Sequence, residues 1–230
     1  MKKTILILIF PLLFFACSII VPSQKFYQEK QIKEKVLENL QIFQSFKLQG
    51  TIEITSRQFA FYKNISIKKY KDVLRIDIFA GGLFGLSPQM DAQVFVSDSI
   101  LIYIPKKNLL FIDDDYTFIV KNDTINIPKH LFIDTISQYD EWLISKENIV
   151  VRHNNTKYTF NPNTFNIKEI HSSNSIITFS NYKQGFPHKI FMEKEKRISV
   201  KLNIDSVDLM HNNYPIKMFR IDKNAKRTRI

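Results

Sequence analysis

The chain has 230 residues, 44% hydrophobic and 24% charged, with 20 Phe and one Cys. That is enough apolar material for one core and, once a short leader is set aside, for one domain. The net charge is +11, or +9 without Lys2 and Lys3. Such a basic surface favours anionic lipid headgroups or nucleic acid, unless it only reflects a general Lys, Asn and Ile bias.

At the N-terminus Lys2 and Lys3 precede an unbroken apolar run over 5–16, with Cys17 directly behind it. This is the layout of a secretory signal, and the run falls well short of the about 20 residues that a bilayer-spanning helix needs. Phe14-Phe15-Ala16-Cys17 resembles a lipobox, in which the small Ala16 suits a lipoprotein signal peptidase, although Phe14 stands where leucine is usual. Residues 1–16 are therefore read as a signal peptide and Cys17 as the lipidated residue; the competing reading is a plain secreted protein with a free thiol. Buried acyl methylenes contribute about 0.8 kcal/mol each, so several chains on one cysteine anchor firmly. Export argues against a nucleic-acid partner. Ser18 is not the aspartate that retains lipoproteins at the inner membrane in some lineages, which favours the outer membrane, facing the periplasm.

Residues 17–27, with Pro22, are too short to fold and read as a lipidated tether. Over 28–46 the apolar residues Ile32, Val36, Leu37, Leu40 and Phe43 recur three and four apart between Lys, Glu and Gln, which predicts an amphipathic helix that needs a sheet to cover. The period then drops to two. Leu48, Ile52 and Ile54 share one face, with Lys47, Gln49, Thr51, Glu53 and Thr55 on the other. Leu74, Ile76 and Ile78 repeat the pattern, as do Ile198, Val200, Leu202 and Ile204 against Arg197, Ser199, Lys201 and Asn203. Further strands are predicted over 59–68, 89–97, 100–104, 109–112, 116–120, 149–153, 157–160, 165–170, 176–182 and 189–193. Asn154-Asn155, Asn161-Pro162-Asn163 and Ser172-Ser173-Asn174 supply turns.

A second helix is predicted over 128–146, with Pro128 at its start and Phe132, Ile136, Tyr139 and Leu143 on one face. The expected fold is mainly β with helices: a strongly curved antiparallel sheet, an incomplete barrel, with helices covering the concave side. The domain is placed at 28–210. Beyond it lies a basic tail, 211–230, with Lys217, Arg220, Lys223, Lys226, Arg227 and Arg229, which either presses against anionic headgroups or frays into solvent.

Nothing in the sequence points to an enzyme, a metal or a cofactor. His130, His153, His171, His188 and His211 lack metal-ligand spacing, and no serine sits in Gly-x-Ser-x-Gly. Asp113-Asp114-Asp115 lacks the spaced ligands and glycine of a calcium loop and reads as a solvated turn. Phosphate-cradling glycine patterns are absent. The one unusual loop is Gly81-Gly82-Leu83-Phe84-Gly85, which surrounds two large apolar side chains with three of the 5 Gly. At a mobile tip Leu83 and Phe84 would gain about 1.5 to 3 kcal/mol each by full burial in lipid; otherwise they fold back onto the core.

The order of elements, the strand Leu74-Arg75-Ile76-Asp77-Ile78 running into that loop, a helix holding Trp142, and the ending Phe186-Pro187-His188-Lys189-Ile190 with 197–204 resemble the LolB-like outer-membrane lipoprotein receptors and the broader LolA/LolB-like lipoprotein-carrier fold. The family has Pro-Leu-Gly where this chain has Gly82-Leu83-Phe84-Gly85, so its exposed leucine corresponds to Phe84 or Leu83. The resemblance implies a carrier that makes and breaks no bond. It would hold acyl chains of lipoproteins or lipids in an apolar cavity and insert lipoproteins into the outer membrane, with a soluble periplasmic carrier as a further partner. The inward residues Ile52, Ile54, Leu74, Ile76, Ile78, Val94, Val96, Ile102, Ile177 and Phe179 would line the cavity, or else pack as ordinary closed core. A lipid or glycolipid carrier on the same fold and a structural lipoprotein of an envelope assembly are the alternatives.

Overall fold

The computed structural model describes residues 27–57, 60–80, 89–113, 117–120, 123–126, 136–172, 175–195, 197–209 and 215–229. The signal peptide and most of the tether, including Cys17, and the loop residues Leu83 and Phe84 lie outside them. So do Pro128 and Phe132 of the second predicted helix, together with His130, His211, Asp114 and Asp115.

Among the described residues one α-helix, α1 (Glu29–Gln41), precedes the strands. Gln31 Oε1 accepts the Gln28 backbone N–H at 3.2 Å, which satisfies one donor at its start. The helix stops five residues earlier than its apolar spacing suggests. Phe43 falls in a short turn, and Phe46 already belongs to a strand.

The strands are β1 (Ser45–Ser56), β2 (Ala60–Tyr70), β3 (Val73–Phe79), β4 (Met90–Val96), β5 (Ile100–Ile104), β6 (Leu109–Asp113), β7 (Thr117–Val120), β8 (Asp123–Asn126), β9 (Glu141–Ile144), β10 (Ile149–His153), β11 (Thr156–Phe160), β12 (Ile167–Ser172), β13 (Ser175–Lys183), β14 (Phe186–Lys194), β15 (Ile198–Leu209) and β16 (Lys226–Arg229). Fourteen of them form one curved, unclosed sheet in the order β16-β6-β5-β4-β3-β2-β1-β15-β14-β13-β12-β11-β10-β9, and β7 pairs with β8 separately. Neighbours are antiparallel except β16, which runs parallel to β6. The meander is built from local hairpins. Asn154 (φ 51°) turns β10 into β11, and Gln184 (φ 49°) with Gly185 (φ 81°) turns β13 into β14. The long pairing of β1 with β15 joins the two arms, and its register shifts between Gln49 and Gly50. A Cβ at Gly50 would collide with the Asn203 carbonyl oxygen, so this seam closes only on glycine.

The core is apolar residues from α1 and one sheet face: Val36 and Leu40 of the helix, then Phe43, Phe46, Leu48, Ile149, Val151, Phe160, Ile167, Phe179 and Phe186. Phe43 meets the Phe186 ring at 5.1 Å and the Phe179 ring at 6.4 Å. Asn39 Nδ2 donates to the Thr164 carbonyl at 3.0 Å, and the Lys33 ammonium sits 5.8 Å from the Trp142 ring. These contacts lay the helix on the β9–β14 arm.

The second predicted helix is corrected where it is described. Residues 136–146 form a turn and then strand β9, which pairs with β10. Trp142 and Ile144 pack against the core, while Leu143 and Tyr139, placed on the buried helical face by their spacing, are exposed. A three-and-four spacing in so short a window also admits a period-two strand. Ser137 and Asp140 decide it: the Ser137 N–H donates to Asp140 Oδ2 at 2.6 Å and Trp142 Nε1 donates to the Ser137 carbonyl at 3.1 Å, which closes a turn. No described helix is long and apolar enough to cross a membrane.

The C-terminal residues are not frayed where they are described. Residues 215–225 cross the face of β3–β6 opposite the core, and β16 then adds to the sheet edge. Phe219 is 3% exposed, stacked on Tyr103 with centroids 5.9 Å apart and set edge-on to Phe95 at 6.5 Å. Arg75 Nη1 donates to the Lys217 carbonyl at 3.1 Å, and the Lys226 N–H to the Asn108 carbonyl at 2.9 Å.

Candidate functional site

Alternation along each strand gives the sheet two faces, and the one carrying α1 is the inner face. The pairings Ile54↔Val200, Val200↔Met192 and Met192↔Ile177 carry that face through the β13 side of the seam. Gly50↔Ile65, Ile65↔Ile78, Ile76↔Val94 and Val94↔Ile102 carry it through the other arm. Residues opposite one another in a ladder share a face. All ten residues singled out from the sequence, Ile52, Ile54, Leu74, Ile76, Ile78, Val94, Val96, Ile102, Ile177 and Phe179, therefore lie on this one face.

Their surroundings differ. Leu74, Ile177 and Phe179 are buried and belong to the main core. The other seven are half-buried. Ile52, Ile76, Ile78 and Val96 border the core, and Val94, Val96 and Ile102 gather round the fully buried Ile100 as a separate small cluster. The face over β3–β5 is thus apolar, continuous with the core, and incompletely covered among the described residues. Sequence reasoning did not single out Ile65, Ile67 and Ile100, which lie on the same face; their own alternation was the available signal.

One rim of this arm is charged. Lys63, whose register position is opposite Ile52, donates to Asp91 Oδ2 at 2.8 Å, and Lys106 donates to Asp91 Oδ1 at 3.0 Å. The hydrogen bond from Lys63, then that from Lys106, holds the Asp91 carboxyl below the usual carboxylate range. On the outer face, Asp77 is buried and takes Gln93 Nε2 at 2.9 Å and Arg75 Nε at 3.0 Å.

The described histidines do not converge. His153 Nδ1 lies 2.7 Å from Asp140, His171 lies 2.9 Å from Glu169, and His188 Nδ1 donates to the Ile204 carbonyl at 2.8 Å. Burial alone would raise Asp140, but the Ser137 N–H and His153 outweigh it and hold its carboxyl low. Burial pushes the Tyr182 phenol up. Among the described residues no three His, Cys, Asp or Glu side chains gather as a metal site. The chemistry that the inner face offers is apolar contact.

No protein-family model matches the chain. No curated protein sequence matches it either. Solved structures do. A LolA superfamily protein from Nitrosomonas europaea superposes with a TM-score of 0.53 at 10% identity, covering 83% of this chain and 96% of that one. The chain has a LolA-like fold. A domain of a proposed outer membrane lipoprotein-sorting protein from Vibrio parahaemolyticus gives a TM-score of 0.53 at 10% identity over 80% of this chain and 94% of that one. A DUF1329 family protein from Desulfovibrio piger gives 0.52 at 8% identity over the same shares. At such identities the likeness is one of LolA-like architecture, a large curved sheet with a helix on it.

Proposed function

We propose that this chain is a membrane-anchored carrier that holds acyl chains against the inner face of β3–β5 and passes lipoproteins into the outer membrane. The observation that supports it is the half-covered apolar face formed by Ile76, Ile78, Val94, Val96 and Ile102, in a fold shared with lipoprotein-sorting domains. A half-covered apolar surface of this kind is lowered in free energy by contact with hydrocarbon, by about 25 cal/mol for each Å² covered. In this reading Cys17 carries the anchoring lipid, Leu83 and Phe84 on the connection between β3 and β4 enter the bilayer, α1 covers one arm of the concave side, and a soluble periplasmic protein delivers the cargo.

The test is titration of the chain with a fluorescent fatty acid, followed by displacement with a diacylated lipopeptide. Saturable binding in the micromolar range is expected, weakened by about tenfold or more in the double variant Val94→Asn, Ile102→Asn. Circular dichroism of that variant should stay unchanged, since both positions are half-buried. Absence of saturable binding, or equal binding by a folded variant, contradicts the reading. Displacement by lipopeptide and not by phospholipid selects lipoprotein delivery over general lipid carriage. Leu83→Glu with Phe84→Glu should then impair delivery and leave acyl binding intact.

A further inference from the structure

The C-terminal segment is both strongly basic and firmly seated. Residues 215–229 hold Lys217, Arg220, Lys223, Lys226, Arg227 and Arg229 against the single acid Asp222. The first five of these cations are exposed, as is Lys107 in the neighbouring turn. Their backbone is fixed by Phe219 between Tyr103 and Phe95, by the Arg75 bond to the Lys217 carbonyl, and by the β16–β6 ladder. Met218, 50% exposed, stands next to Lys217 and two residues from Arg220. Cations interspersed with an exposed apolar side chain suit the boundary between headgroups and acyl chains. Single-stranded nucleic acid would instead call for exposed rings to stack on. Here Phe219 and Tyr103 are spent on each other, both buried.

We propose that this docked segment is a preformed cationic surface that binds anionic lipid headgroups and fixes how the domain lies on a membrane. The surface acts independently of the acyl-binding face, because residues 215–225 and Arg227, opposite Leu110, lie on the other side of the same strands; of its cations only Lys226, opposite Leu109, stands at the inner side of the sheet edge.

The test uses the full chain carrying Cys17→Ala, so that no acyl anchor contributes. Its affinity is measured for vesicles of phosphatidylcholine with and without about one-third phosphatidylglycerol. The increment due to the anionic lipid is the readout, because any contribution from the apolar N-terminal run appears with both vesicles. The increment should fall roughly a hundredfold when Arg220, Lys223 and Arg227 are changed to Gln. It should change by less than about twofold when the equally exposed Lys30, Lys157 and Lys189 are changed to Gln, and should vanish at high salt. Equal losses in the two triple variants would reduce the effect to net charge and overturn the proposal. So would indifference to anionic lipid, or tighter binding of a single-stranded RNA at the same salt. Fatty-acid titration of the same variants separates this outcome from the fate of the acyl-carrier reading.

Discussion

The two arms of the sheet have the same alternating strands but opposite covers. In the β9–β14 arm, α1, Phe43 and Phe46 cover the inner face, so that Ile149, Val151 and Phe160 are completely buried, while Leu143, Ile176 and Phe191 stand exposed among polar residues on the outer face. In the β3–β6 arm the inner face is half-covered among the described residues, while the outer face carries Phe95, Leu101, Tyr103 and Ile112 under the C-terminal segment. An arm that must leave one face available can draw its stability from the other. The placement of covers, more than the strands themselves, separates the sealed arm from the arm proposed to hold acyl chains.

Substitutions should separate the arms in order of size. Phe186→Ala in the sealed arm removes a side chain that touches Phe43 and Phe46, and should cost about 3 to 5 kcal/mol in urea unfolding. A cost under about 1 kcal/mol would mean that the arm is not the main core. Phe219→Ala should cost less, about 2 to 3 kcal/mol, because its cluster is a satellite. Limited proteolysis should then cut within 215–229 before the sheet unfolds. Simultaneous loss of both would merge the satellite with the main core.

Val94→Ala should be milder still, about 1 kcal/mol, since part of the side chain already meets solvent. Its larger effect should be on acyl affinity; a bigger effect on stability than on affinity would make β3–β5 ordinary core. The smallest effect is expected at Asp91. Its carboxyl is held low in the folded state, so its contribution is present above the unfolded value of about 4 and is lost as pH falls through the folded value. Asp91→Asn should make acid unfolding shallower on that side, as followed by fluorescence of Trp142.

Much of this was legible in the sequence. Period-two stretches such as Leu74-Ile76-Ile78 and Ile198 to Ile204 named the inner face correctly, because alternation is a local property. The cover on each arm was not legible. Ile136, Tyr139 and Leu143 keep helical spacing by coincidence, and the Ser137–Asp140 turn that overrides it depends on particular hydrogen bonds. The C-terminal segment has only Ile216, Met218, Phe219, Ile221 and Ala225 to mark it, among many cations. Its partners on β4 to β6 lie more than a hundred residues away, and a parallel edge pairing leaves no periodic trace. Of the predicted site, the ten inner-face residues share one sheet face, most of them divided between the main core and a separate cluster, and Cys17, Leu83 and Phe84 fall outside the described residues.

The central claim concerns where an acyl chain rests. A diazirine-bearing fatty acid, photolysed on the full chain and mapped by peptide mass spectrometry, should label residues on β3, β4 and β5, chiefly Ile76, Ile78, Val94, Val96 and Ile102. Label confined to the sealed arm or to the outer residues Phe95 and Tyr103, or no label above that of an unphotolysed control, would contradict it.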